Sequence, residues 1–478
     1  MYKIKLYRCL IPLGVFLSVI SCKAPAITTR TTTNNALPEL YSNNKDTSNT
    51  STIPWKNFFK DKNLVNLIDI ALTNNQELQI TLQEIEITKN DIRIKKGEIL
   101  PKVGVRAGAG VEKVGRYTSQ GAGDASTEIT PGKEMPDPLM DYTLAAYANW
   151  EVDIWKKLRN SKKAAVSRYL STIEGKNFVL TNLIAEVANS YYELLALDSQ
   201  LNIVKQNIEL QKNALEIVKI QKETARATEL AVQKFQAEVL TSKSMEFEIL
   251  QKIKETENRI NFLLGRYPQE IIRDKNNFLN LQPSAIDSGI PSQLLANRPD
   301  IKQAELELAA AKLDVKIARA EFYPSLAISA GIGLQAFKTS YLLTFPESIL
   351  YSLAGDIAAP LINRNAIKAE FNNANSRQIQ AMYNYERTIL NAYLEVSNQL
   401  SKINNLEKSY DLKWQQVNAL NRSIDVSNDL FKSARVDYFE VLMTQRDALE
   451  SKLELIETKK EQFNATVNVY KDLGGGWK

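Results

Sequence analysis

The sequence predicts a mainly α-helical protein that also carries a small set of β-strands of the membrane-spanning type. Three observations predict it. No Pro occurs between Pro138 and Pro268 or after Pro360, and no Gly lies between Leu361 and Leu473, so helices far longer than the usual three turns are expected. Within these stretches apolar residues recur every seven positions, the pattern that winds helices around one another in a left-handed supercoil. Ahead of each stretch stand segments in which apolar and polar residues alternate, the weak signature of strands with one lipid-facing and one polar face.

Composition narrows the function classes. The chain has 478 residues, 24% charged and 44% hydrophobic, with a formal charge of +5. These are ordinary values for a folded protein, and the small excess of base gives no reason to invoke nucleic acid. There is no His, so the commonest general base and metal ligand are missing. The only thiols are Cys9 and Cys22, which leaves the body without a thiolate nucleophile, a disulfide or a zinc cluster. No Met or His cluster marks a metal route. An enzyme with a bound cofactor or metal is not expected.

Taken in order, the chain opens with a signal peptide over 1–21: Lys3, Lys5 and Arg8 are followed by an apolar run over 9–20. That run is too short to span a bilayer, which takes about 20 residues. Val19-Ile20-Ser21-Cys22 resembles the bacterial lipoprotein processing box, which implies that Cys22 becomes residue one and carries lipid, palmitate included. Residues 22–52, rich in Thr, Asn and Ser, read as a lipidated flexible tether.

The rest reads as two copies of one plan. The first repeat, 53–265, holds a helix, a β-hairpin over 101–152 and long helices; a Pro-spaced segment covers 266–298. The second repeat, 299–473, has its hairpin over 324–360, and 474–478 form a tail. Leu180, Val187, Leu194, Leu201, Ile208 and Leu215 keep heptad register, as do Ile389, Val396, Ile403, Tyr410, Val417, Ile424 and Phe431. The two series are offset by 209 residues, and the same offset aligns 225-ARATELAVQKFQAEVL-240 with 434-ARVDYFEVLMTQRDAL-449. Upstream, 94-IKKGEILPKVGVRAGAG-110 aligns with 317-IARAEFYPSLAISAGIG-333. Two matches in one order indicate a tandem duplication.

The strands alternate in both copies. Val103, Val105, Ala107, Ala109 and Val111 share one face, as do Leu144, Ala146, Ala148 and Trp150, then Leu326, Ile328, Ala330, Ile332 and Leu334, and finally Tyr351, Leu353 and Ile357. Two copies supply four strands, whereas a closed barrel needs about eight, and open sheet edges are not tolerated in lipid. Several chains must therefore complete the barrel together; two, three and four copies all remain open at this point. A helix of some 67 residues from about Lys156 would be about 100 Å long, too long for a compact fold.

Several motifs then identify a relation. The run 294-LLANRPDIKQAELELAAAKLDVKIARAEFYPSL-326, together with 262-FLLGRYP-268 and 470-YKDLGGGW-477, closely resembles the TolC-type outer-membrane efflux channels of the NodT lipoprotein group, over essentially the whole mature chain. The resemblance implies a homotrimer with a twelve-stranded barrel, a twelve-helix coiled-coil α-barrel in the periplasm and an equatorial domain drawing on 53-IPWKNFFKD-61, the 266–298 segment and the C-terminal tail. It further implies an exit duct for an inner-membrane transporter of the resistance-nodulation-division (RND) class and its periplasmic adaptor, a membrane fusion protein. Matching 434-ARVDYFEVL-442 to the family's tip motif places Glu440 on a ring of carboxylates that constricts the pore, with Arg435 on a gate-lock position. The usual second acid is Met443 here and the counterpart of Glu440 in the first copy is Ala231, so Asp437 or Glu229 would have to substitute.

Two rivals are weaker. Gly331-Ile-Gly333-Leu-Gln-Ala336 fits a dinucleotide-binding pattern, but Pro346 breaks the helix that would have to hold a pyrophosphate. A non-conducting, lipid-anchored periplasmic scaffold would share the helices, yet it has no use for two symmetric strand pairs.

Overall fold

A computed structural model describes residues 37–41, 47–276, 278–362, 364–433 and 435–477. The signal peptide, Cys22 and most of the tether lie outside the described residues. The remainder folds as two compact units, one built from 86–170 and 306–383, the other from residues up to 85 together with 171–305 and 384–477.

The helices are α1 (Trp55–Phe58), α2 (Lys62–Asn74), α3 (Gln76–Glu98), α4 (Ser119–Ser126), α5 (Lys157–Glu223), α6 (Glu229–Leu263), α7 (Leu294–Asn297), α8 (Pro299–Ala320), α9 (Asn365–Lys432) and α10 (Tyr438–Asp472). The strands are β1 (Lys102–Glu112), β2 (Glu128–Thr130), β3 (Lys133–Glu134), β4 (Leu139–Val152), β5 (Ser325–Ala336) and β6 (Ile349–Ala358). The breaker-free stretches thus become α5 and α9, of 67 and 68 residues. Among the described residues no helix is long and apolar enough to cross a membrane.

In the first unit, four strands form one antiparallel sheet in the order β1-β4-β5-β6, while β2 and β3 pair separately. The seam between the two sequence copies is β4 against β5, and β1 and β6 are left as the edges. Register settles the faces, because directly paired residues share one. Val105 pairs with Ala146, Ala146 with Ile332 and Ile332 with Tyr351; Val103, Ala148, Ala330 and Leu353 form a second such row. Every apolar residue expected on one face therefore lies on one face. That face is uncovered in a single chain: Val103, Val105, Leu353 and Ile357 are each at least 74% exposed. Gly331 and Gly333 of the dinucleotide-like pattern lie inside β5, and a Cβ on Gly333 would sit 2.3 Å from the Leu144 carbonyl oxygen. Close approach of the β4 backbone explains that glycine.

In the second unit the first heptad series supplies much of the core. Val187, Leu194, Val204 and Ile208 of α5 are buried with Ile249, Ile253 and Ile260 of α6, Leu449, Ile456 and Phe463 of α10, and Leu64 and Ile68 of α2. One expectation needs correction. Residues 49–52, assigned to the tether by composition, are held in place: Asn49 caps a 3-10 turn over Thr50–Thr52, and Thr50 N donates to the Asp287 carbonyl at 2.9 Å. The polar side chains that suggest a solvated linker are here the partners that satisfy buried backbone.

Candidate functional site

The gate residues inferred from sequence fall at one place, the turn between α9 and α10. Arg435 N donates to the Leu430 carbonyl at 2.9 Å, and Glu440 N to the Asp437 carbonyl at 3.1 Å. Asp437 precedes α10 in the extended conformation of an N-cap, although its side chain makes no capping bond. Glu440 lies in the first turn, where a helix favours an acid. Arg435, Asp437 and Glu440 are all exposed. The structure thus gathers the three within six residues on one tip, and it leaves their side chains facing solvent in the single chain.

The α5–α6 turn is built the same way. Arg226 N donates to the Gln221 carbonyl at 2.8 Å, the same bond 209 residues earlier. Thr228 caps Ala231 N at 3.3 Å. The acids differ, however. Glu229, a candidate substitute in the ring, is paired with Lys222 and accepts from Gln233 at 2.7 Å. The Lys222 hydrogen bond, chiefly, holds its carboxyl below the usual range. The two tips pack through an apolar cluster of Leu215, Val218, Phe235 and Val239 with Leu442, flanked by Phe431 and Tyr438. Lys234 Nζ sits 5.1 Å from the Phe439 ring centroid.

The motifs that carry the family resemblance meet elsewhere, as a structural node. Arg298 gives two bonds to Asp300 (2.9 and 2.7 Å), one to Glu395 (2.8 Å) and one to the Asp472 carbonyl (3.0 Å). Burial opposes its charge, but these carboxylates outweigh the cost and hold the guanidinium pKa above its usual value. Trp477 Nε1 donates to the Asn297 carbonyl at 3.1 Å, and Gly474, at φ +87°, lies where a Cβ would be 2.5 Å from that same oxygen. The RPD and GGGW runs are therefore the two halves of one lock.

A second node was not anticipated. Arg273, its side chain 2% exposed, bonds Asp198 at 2.5 and 2.9 Å and Glu257 at 2.7 Å. It ties the segment after α6 to α5 and α6. The available signal was Asp198 itself, an acid inside the apolar run 194-LLALDSQL-201 at a heptad flank.

A sequence profile of the family described as "outer membrane efflux protein" matches residues 67–266 and 290–475. The pyoverdine export outer membrane protein OpmQ of Pseudomonas aeruginosa is 27% identical over 89% of this chain and 87% of its own length. The cation efflux system protein CusC of Escherichia coli is 25% identical over 89% and 88%. A crystal structure of CusC superposes with a TM-score of 0.81 at 23% identity, covering 95% of this chain and 99% of that one.

Proposed function

Because the chain belongs to the outer membrane efflux protein family, we propose that three copies close a twelve-stranded barrel in the outer membrane and form the passive exit duct of a tripartite efflux system, fed by an inner-membrane RND transporter through a periplasmic adaptor. One observation carries the reading: a four-stranded sheet with one continuous apolar face, exposed in the single chain, and two unpaired edges, β1 and β6. In hydrocarbon the apolar face is favourable, but each unpaired backbone group costs several kcal/mol, so edge must meet edge on another copy. Cys22 anchors the chain to outer-membrane lipid. Glu440 forms the ring at the constriction, with Arg435 and Asp437 beside it, and the exposed carboxylates favour cations over anions there.

OpmQ is named for pyoverdine export and CusC for cation efflux. Cargo that different through one architecture fits a duct that conducts what its pump delivers. A cross-linking experiment tests the assembly: Ala107→Cys with Leu353→Cys places single thiols on β1 and β6, in a body that has none of its own. Oxidation in membranes should produce a ladder ending at a trimer. A product that stays monomeric at every pairing along the two edges would remove the barrel from the account.

A further inference from the structure

The packing of α5, α6 and α10 carries polar side chains between its two apolar clusters. On α5, Val204 and Ile208 belong to the main core and Leu215 and Val218 to the tip cluster. The buried position between them, in 4-3 register with both, is Gln211. On α6 the tip cluster ends at Val239 and the main core resumes with half-buried Met245 and buried Ile249; between them lies Ser242, 2% exposed. On α10, Gln445 stands between Leu442 and Leu449 and is 4% exposed. Asn207 Nδ2 donates to Ser242 Oγ at 3.2 Å, whereas Gln211 Oε1 and Gln445 Oε1 are buried without a donor. Three helices thus place a polar side chain at a core position between the two clusters, and this layer is only partly satisfied.

A polar residue at a coiled-coil core position lowers stability locally, and an acceptor buried without a partner keeps its full desolvation cost until water reaches it. Opening the helices at this level hydrates both amide oxygens and refunds that cost, which no apolar layer would do. We propose that the polar layer of Asn207, Gln211, Ser242 and Gln445 is the hinge of the gate: the tips below it, with their own apolar cluster, move as one unit while the core above stays packed. This deepens the exit-duct reading and rests on it.

Hydrogen exchange on the full-length protein in detergent micelles tests the hinge separately from conduction. Amides of 212–223, 229–241 and 438–444 should exchange in unison, at least about tenfold faster than those of 187–205 and 249–260, with the step at the layer. Gln211→Leu with Gln445→Leu should join the two clusters, slow tip exchange by about tenfold and leave the upper segments unchanged. If that double variant fails to assemble, Val239→Ala serves instead: it should speed exchange of the tip alone. Exchange that declines smoothly from the turns upward, a double variant with wild-type tip exchange, or a Val239→Ala effect reaching 249–260 would each overturn the hinge. A duct that conducts normally with no step in exchange would refute the hinge and leave the duct standing.

Discussion

Replacing Arg298 with Ala removes the centre of the node that joins the RPD and GGGW motifs. The Arg298 side chain is 7% exposed and that of Asp300 18%, so this pair is largely buried, and stripping one partner from such a pair costs about 3 kcal/mol at the low end. The Asp472 carbonyl loses its 3.0 Å donor in a buried setting, adding about 1 kcal/mol. Glu395 is 47% exposed, and its share is at most about 0.5 kcal/mol. The total is about 4 kcal/mol, which at about 2 °C per kcal/mol lowers the Tm by about 8 °C. The assay is thermal unfolding of the purified full chain in detergent, followed by circular dichroism at one fixed scan rate. Arg298→Lys should recover less than half of the loss, because an ammonium cannot serve Asp300 with a two-pronged fork. An Arg298→Ala protein melting within about 2 °C of the parent would mean that the node does not carry this stability.

Four further outcomes follow from the same geometry. Gly333→Val drives a side chain into the β4 backbone and should abolish the heat-modifiable oligomer on gels, whereas Gly355→Val, whose Cβ meets nothing within 4 Å, should leave it intact. Burial, above all, holds the Asp472 carboxyl above its usual pKa; the folded chain binds this proton more tightly than the unfolded one, so the ionised form costs stability above the folded-state pKa and the cost vanishes below the unfolded value of about 3.9. Asp472→Asn should therefore raise the Tm at pH 7 and not near pH 3, and equal shifts at both would contradict the assignment. Glu440→Gln should reduce the cation-to-anion permeability ratio of single channels by at least about twofold, with an unchanged ratio counting against the ring. Cys22→Ser should lose labelled-palmitate incorporation, and retained label would place the lipid elsewhere.

The parts of the fold that repeat were the parts legible in the sequence. Heptads mark recurring positions for burial, so Val187, Leu194 and Val396, each 0% exposed, could be named in advance, whereas Ile403 and Tyr410 of the second series end half-buried. Strand alternation is equally local, and the register rows Val105-Ala146-Ile332-Tyr351 follow from it once the hairpins form. What could not be read was pairing between distant charges. Arg273 and Glu257 look like solvated loop and helix residues, Asp198 alone stands out by its apolar neighbours, and only tertiary contact makes the three a buried triad. The signature motifs were recognisable as words, yet their physical task, locking Asn297 and Arg298 to Asp472 and Trp477, is invisible without coordinates. At the tips the turn geometry is repeated in both copies, but the acids are not, since Glu229 is engaged by Lys222 while Glu440 has Ala231 as its counterpart.

A chain that closes a pore with its copies must conduct ions. Reconstituting the purified full-length oligomer into planar lipid bilayers and recording single channels tests it most directly. Discrete conductance steps are expected from material that runs as an oligomer unheated and as a monomer after boiling. Membrane-inserted oligomer that gives no steps at any voltage or pH would contradict it.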